Sequence, residues 1–266
     1  MVRAKRSLSQ NFLIDHNIRR KIVAVLGAGP DDTVLEVGPG HGELTDLLAG
    51  SVARLVLVEK DDRLAADLAR RFEDRSDVRV VHGDALEVDL EGLLGSAAGL
   101  LISNVPYGIT SPLIFRFLEM EPMPRRMILL VQREVAERIA ASEGSKVYGA
   151  LSIGVQARAT VRIAFRVGRR AFRPVPDVDS AAIAIEPRPD AVGRERQEDL
   201  RVLTRVAFSR RRKQLGRILR SAPEYDLAAD AIDSILEAEG VDPRARPETL
   251  TPDQFVDLAS RLAGAS

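Results

Sequence analysis

Residues Asn104, Val105, Pro106 and Tyr107 follow four apolar or small residues, Leu-Leu-Ile-Ser, and bring together what is needed to handle an amine. Pro106 stiffens the turn and removes a backbone donor. That leaves main-chain carbonyls and the Asn104 amide oxygen as acceptors. Two acceptors facing an exocyclic NH₂ hold its nitrogen lone pair toward an electrophilic methyl carbon, while Tyr107 can stack on the ring bearing the amine. No strong base is required, because the amine proton becomes very acidic once the nitrogen is alkylated; orientation and electrostatics supply the catalysis. The bland reading of the same residues is a capped strand end with a buried tyrosine.

A ligand for such a site is suggested upstream. In "TVLEVGPGHGELT", Gly38, Gly40 and Gly42 come straight after an apolar run. Glycine there lets the backbone turn tightly and approach a ligand, and the following helix offers its N-terminus. The spacing is GxGxG, whereas a dinucleotide fingerprint wants its third glycine one residue later. Glu59 ends the next apolar run, 21 residues beyond Gly38, where a carboxylate can accept both ribose hydroxyls of a nucleoside. The two features together favour a nucleoside cofactor, either a nicotinamide dinucleotide or S-adenosyl-L-methionine. Asp84 in "VVHGDAL" is positioned to accept from an adenine amino group, or to cap a helix over "ALEVDLEGLL". His41 and His82 read as spacer and strand-end residues.

Phe172 is set in the stiff loop "RRAFRPVPDVDS" among Arg169, Arg170 and Arg173, in a chain with no Trp and few aromatics. It could form the second half of a base sandwich with Tyr107 while the arginines meet phosphates; the alternative is an ordinary core phenylalanine. Farther on, Arg210, Arg211, Arg212 and Lys213 in "FSRRRKQLGRIL" read as a helix start able to bind phosphate.

The elements that must position these residues are legible. "TVLEV", "RLVLVE", "VRVVHG", "LLISN" and "RMILLVQ" alternate with longer amphipathic segments, a βαβ rhythm that predicts a mostly parallel sheet with helices on both faces. "TVRIAFRV" and "SAAIAIEP" add an antiparallel, hairpin-like end. Ser111 with Pro112 reads as an N-cap and N1 proline, and Thr251-Pro252-Asp253-Gln254 as a capping box. Beyond about Arg194 only helical periodicity remains. This predicts an α/β domain over 1–189 with a basic N-terminal arm, and a small all-α domain over 190–266.

Composition narrows the classes. With no Cys, and with His16, His41 and His82 far apart, no metal site is expected. The start lacks an apolar signal core, and the longest uncharged run is broken by glycine and proline, so the expectation is a cytoplasmic protein without a membrane span. The net charge of zero conceals segregation: residues 158–220 hold 17 Lys and Arg against 7 Asp and Glu, a net +10, and residues 30–100 hold 7 against 16, a net −9. A basic stripe beside an acidic body suits a polyanion.

The motifs "LSQNFLID", "LEVGPGHGELT", "LVEKDDRL", "GDAL", "NVPYGITSPLIF", "VQREVAERI", "YGALSIGVQ", "FRPVPDVDSA", "FSRRRKQL" and "GVDPRARPETLTPDQF" resemble, in order and over nearly the whole chain, the small-subunit branch of the rRNA adenine dimethylase family. The resemblance implies a Rossmann-like class I methyltransferase sheet of seven strands and S-adenosyl-L-methionine as cofactor. The implied reaction is dimethylation of two adjacent adenines in a 3′-terminal helix loop of small-subunit (16S) rRNA during subunit maturation. By position, Asn11, Leu13, Gly38, Gly40, Glu59, Asp84 and Asn104 would contact the cofactor, and Asn104, Pro106, Tyr107 and Phe172 would hold the target base. The implied partner is small-subunit rRNA within a pre-ribosomal particle, met by a monomer. Val105 stands where leucine is commoner, Gly108 where a larger residue is usual and Ser9 where glycine often precedes "QNFL". The Ser-Gln-Asn-Phe-Leu spelling also occurs in the branch that methylates large-subunit rRNA and confers macrolide resistance, which is one alternative. Others are a non-catalytic rRNA-binding assembly factor, disfavoured by the intact motifs, and a nicotinamide-dependent oxidoreductase, disfavoured by the glycine spacing and the lack of a hydride-transfer partner.

Overall fold

The computed structural model describes residues 11–95 and 97–265. The first ten residues of the basic arm, with Arg3, Lys5 and Arg6, lie outside them. The chain divides into two compact units, Met1–Ala136 with Val161–Pro187, and Glu137–Thr160 with Arg188–Ser266.

Nine strands are formed among the described residues: β1 (Phe12–Leu13), β2 (Thr33–Val37), β3 (Arg54–Glu59), β4 (Val78–His82), β5 (Leu100–Asn104), β6 (Arg126–Gln132), β7 (Ala159–Val167), β8 (Phe172–Arg173) and β9 (Ser180–Pro187). Seven form one sheet in the order β4-β3-β2-β5-β6-β9-β7. The β2–β3, β3–β4, β2–β5 and β5–β6 pairs are parallel, and β9 joins β6 antiparallel. This is the expected class I methyltransferase sheet. β2, β3, β5 and β6 are buried almost throughout because both faces are covered, which is why they read as apolar runs rather than alternating ones. The two-residue strands β1 and β8 pair antiparallel as a separate ribbon.

Five helices accompany these strands: α1 (His16–Leu26), α2 (Thr45–Leu48), α3 (Asp62–Arg71), α4 (Leu90–Leu94) and α5 (Thr110–Leu118). The Asp15 carboxylate starts α1 by accepting from Asn17 N at 2.9 Å and Ile18 N at 3.1 Å, and Gly27 ends it at φ +63°. α5 begins two residues earlier than the Ser-Pro signal suggests. Ile109 precedes its first residue without any side-chain cap, because a 3₁₀ turn over Tyr107–Ile109 already leads the chain into the helix.

After α6 (Arg133–Ile139), the second unit contains α7 (Ala150–Gln156), α8 (Gln197–Ser209), α9 (Leu215–Leu219), α10 (Ala229–Ala238) and α11 (Pro252–Ala265). The capping box at α11 is present in full: Thr251 N donates to Gln254 Oε1 at 3.0 Å and Gln254 N to Thr251 Oγ1 at 3.2 Å. Residues 137–160, assigned from sequence to the α/β domain, belong to this unit. Tyr148, Ile153 and Ala157 join Leu203, Phe255 and Leu258 in its core, and Tyr148 Oη donates to the Leu250 carbonyl at 2.9 Å. An apolar helix such as α7 goes where its buried face finds partners, and linear sequence position does not disclose that. No helix among the described residues is long and apolar enough to cross a membrane.

Candidate active site

Strand register brings the chemistry-bearing residues to one edge. Val37 pairs with both Val58 and Ser103, and Glu59 pairs with His82. Gly38, Glu59, Asp84 and Asn104 therefore arrive together at the carboxyl ends of β2 to β5, and all four line one cavity of about 390 Å³. The sheet order reverses between β2 and β5, which is where doubly wound sheets open a crevice for ligands.

The glycine loop is the cavity's floor. Gly38 and Gly40 take φ of +70° and +62°, and a Cβ on Gly40 would lie 3.0 Å from the Phe12 ring. Both constraints work against a side chain at Gly40, and the backbone conformation alone at Gly38. Glu59 fastens this loop to β3: its Oε2 accepts from Gly40 N at 3.1 Å and its Oε1 from Asp61 N at 2.8 Å. Burial raises the Glu59 carboxyl against those two stabilising donors. Each carboxylate oxygen keeps a further lone pair with which to accept a ligand hydroxyl.

Asp84 is more occupied than its sequence context suggests. Its Oδ1 accepts from Leu86 N at 3.0 Å and its Oδ2 pairs with the exposed Lys60 ammonium at 2.5 Å, which holds the carboxyl below the usual range. It caps the turn at 85–88, whereas α4 starts later and is capped by Asp89. An amine reaching Asp84 would share it with Lys60.

Sequence reasoning missed Glu36, Glu43, Phe12 and Lys60 as cavity residues. Glu36 is only 2% exposed and accepts from Thr45 Oγ1 at 2.7 Å. Burial, aided by the nearby charges of Glu43, Asp46 and Glu59 and opposed by the Thr45 bond, pushes its carboxyl up to about 8. Burial raises Glu43 as well. A carboxylate inside the apolar run "TVLEV" was the signal available for Glu36, since an acid in a buried strand is retained only with a purpose or a partner.

Asn104 is held from two directions. Ser103 Oγ donates to the Val37 carbonyl at 2.8 Å, locking the end of β5 to β2. Asn104 Nδ2 donates to the Asn11 carbonyl at 2.9 Å, so the amide oxygen is the acceptor left for a ligand. The expected pair of acceptors is uneven, because the Pro106 carbonyl already accepts from Ile109 N at 3.1 Å and Thr110 Oγ1 at 3.3 Å. Tyr107 is half-buried on the cavity wall, and its hydroxyl shares a hydrogen bond with Ser180 Oγ at 2.7 Å.

A glycine floor, a ribose-height carboxylate and a strand-end Asn-Val-Pro-Tyr occur here on one class I sheet. Residues 1–263 also match the model of a family described as ribosomal RNA adenine dimethylase. The chain belongs to this family. Its similarity extends to the ribosomal RNA small subunit methyltransferase A of Geobacter metallireducens, 41% identical over 98% of this chain and 96% of the relative. The protein of the same name from Geobacillus thermodenitrificans is 38% identical over 97% and 90%. Among solved structures, a dimethyladenosine transferase from Plasmodium falciparum superposes with a TM-score of 0.80 at 26% identity over 93% of this chain and 95% of that one. The 23S rRNA methyltransferase ErmE gives 0.71 at 26% over 95% and 100%.

The structure departs from the sequence expectation at Phe172. The β1–β8 ribbon pairs Leu13 with Phe172 and turns the ring inward, where it is 1% exposed in a core with Leu13, Ile22 and Leu26. Burying such a ring stabilises by roughly 1.5–3 kcal/mol. Phe172 therefore offers no free face for a base sandwich in this structure; the second aromatic at the cavity is Phe12, 4.3 Å from the His41 ring. Leu13 and Asn11 line the cavity as expected.

The cations of the chain also divide by role. Arg170 and Arg173 are exposed, and exposed Arg169 is tied back through its N to Asp179 Oδ1 at 3.0 Å. The run expected at a helix start instead follows the end of α8. Within it Arg210, Arg212 and Lys213 are exposed, but Arg211 is half-buried and donates to the carbonyls of Lys146 at 2.6 Å and Ser145 at 3.0 Å, with Glu248 at 3.9 Å. Arg211 is thus an internal tie of the helical unit.

Proposed function

We propose that the chain transfers methyl groups from S-adenosyl-L-methionine to the N6 amines of two adjacent adenines in a 3′-terminal helix loop of small-subunit rRNA. It would act as a monomer on a pre-ribosomal particle in the cytoplasm. The observation that carries this reading is the single cavity that joins the Gly38–Gly40 floor, Glu59, Asp84 and Asn104. The full-length similarity to proteins named small subunit methyltransferase A favours the small-subunit substrate over the large one.

The cavity suits the cofactor's chemistry. Glu59 can accept ribose hydroxyls, Asp84 the adenine amine, and the side-chain-free Gly40 lets the backbone approach under Phe12. Glu36 is held neutral by burial near pH 7, and the Glu43 and Glu59 carboxyl groups beside it in the lining favour a cationic ligand. When bound, the sulfonium supplies an electrophilic methyl group. Asn104 Oδ1 accepts one N–H of the target amine, which turns the nitrogen lone pair toward that methyl, and Tyr107 presents its ring to the base. The site holds no strong base at the amine and would need none, because an N–H on a nitrogen that has taken a methyl group is acidic enough to lose its proton to solvent.

The test is to incubate the protein with methyl-labelled cofactor and unmodified small or large subunits, then map the labelled bases. Paired N6-dimethyladenines near the 3′ end of small-subunit rRNA are expected. Label confined to large-subunit rRNA would instead assign the resistance-type reaction, and binding without label an assembly role.

A further inference from the structure

We infer that Ser180 is a positioning residue for methyl transfer: its hydroxyl fixes the tilt of the Tyr107 ring that meets the target base. This rests on the proposed base-facing role of Tyr107.

Tyr107 opens a short 3₁₀ turn, where its carbonyl accepts from Thr110 Oγ1 at 3.3 Å, and is followed by the exposed Gly108, so the turn places its Cβ but not the far end of its ring. What ties the far end is the 2.7 Å hydrogen bond from its hydroxyl to Ser180 Oγ, across 73 residues of sequence. A ring fixed at both Cβ and its hydroxyl has no freedom to swing.

Ser180 is a rigid anchor. It is fully buried, is the first residue of β9 and stands in register with Gln132 of β6. The preceding Asp179 accepts from Arg133 N at its carbonyl, 2.9 Å, and from Arg169 N at its carboxylate, 3.0 Å. The residues after it, Ala181, Ala182 and Ala184, are small and apolar. A lone hydroxyl at the head of such a strand is costly to bury unless it is paired, and its partner is Tyr107. The serine therefore answers to the site rather than to the sheet.

The test is a double-mutant cycle on methyl transfer with Ser180→Ala, Tyr107→Phe and the double variant, with Tyr107→Ala beside them. Each hydroxyl deletion should lower kcat/KM for subunit methylation about tenfold, with S-adenosylmethionine affinity unchanged; Tyr107→Phe, which leaves the buried Ser180 hydroxyl without its partner, should also melt somewhat earlier. The double variant should be no worse than either single one, since the same bond is missing from all three. The chain has 3 Tyr and no Trp, so ¹³C-tyrosine labelling gives a direct readout. The Tyr107 Cζ signal, assigned by its loss in Tyr107→Phe, should move in Ser180→Ala while those of Tyr148 and Tyr225 stay. Losses that multiply in the double variant, or a Cζ signal that does not move, would overturn the inference. If Tyr107→Ala itself turned over normally, the base-facing role would fail instead. An inactive Tyr107→Ala beside a fully active Ser180→Ala would remove only the part given to Ser180.

Discussion

Asn104 Nδ2 donates to the main-chain carbonyl of Asn11, 2.9 Å away and 93 residues earlier in the chain. That one hydrogen bond decides which end of the amide faces the cavity, because the reverse orientation would set two oxygens against each other. It also gives Asn11, the residue just before β1, a part in orienting the Asn104 amide, beyond lining the cavity.

Asn104→Ala removes the acceptor that orients the amine chiefly in the transition state. It should lower the methyl-transfer rate by about 10²- to 10³-fold, with a much smaller effect on cofactor affinity. Asn104→Asp, which loses the donor to Asn11 and sets a carboxylate near that carbonyl, should be about as impaired. Single-turnover rates with calorimetry separate the two effects, and near-normal turnover in Asn104→Ala would reject the assigned role.

Glu59→Ala removes the proposed ribose acceptor and also releases Gly40 N and Asp61 N, which it holds at 3.1 and 2.8 Å. Cofactor affinity should fall by about 1.5–3 kcal/mol. Glu59→Gln, with one acceptor oxygen left, should lie between that variant and the parent. Unchanged affinity by calorimetry would show that the carboxylate does not face the ligand.

Glu36 makes a pH-dependent contribution whose sign is fixed. Its folded value of about 8 stands above the 4.5 of an exposed glutamate. The folded state therefore holds more protons than the unfolded chain across that window. The stability linked to Glu36 is complete below about pH 4.5 and is lost as pH rises through 8. Glu36→Gln should flatten the fall of melting temperature between pH 5 and 8 without abolishing it, because Glu43 and Glu59 are raised too. Parallel slopes for parent and variant would mean that Glu36 is ionised throughout.

The strands were legible because buried parallel strands must be apolar runs, and "TVLEV" to "RMILLVQ" fall where they were expected. The site's outline was legible for a related reason: in this topology strand ends share one edge, so Gly38, Glu59, Asp84 and Asn104 converge once the strands are known. The ribbon of β1 with β8 was not legible. Two-residue strands carry no periodicity, yet that ribbon buries Phe172 and presents Phe12 to the cavity. The same limit hid the Tyr107–Ser180 bond, whose members lie 73 residues apart, and the grouping of residues 137–160 with the helical unit. Arg211 looked like its neighbours because a run of cations says nothing about which of them meets backbone carbonyls.

That division gives the docking run a test in which two predictions must part. Arg210, Arg212 and Lys213 are exposed, and the Arg210 guanidinium donates to Ser221 Oγ at 3.3 Å, so the loss of their side chains should cost little stability. If they lie on rRNA phosphates, each phosphate left without its cation takes about 0.7–0.9 from the slope of log affinity against log salt. The triple alanine variant should then show a salt slope for subunit binding shallower by up to about 2 to 3, with cofactor binding and melting temperature close to the parent's. Arg211→Ala should do the reverse. It loses donors to the carbonyls of Lys146 and Ser145 at 2.6 and 3.0 Å, bonds of a charged donor worth about 1.5–3 kcal/mol, so it should melt several degrees earlier and keep the parent's slope. Titrating subunit binding at several salt concentrations, alongside calorimetric melting, reads both. A triple variant with the parent's slope would remove the phosphate-docking role from this turn, and an Arg211→Ala protein as stable as the parent would remove the internal tie.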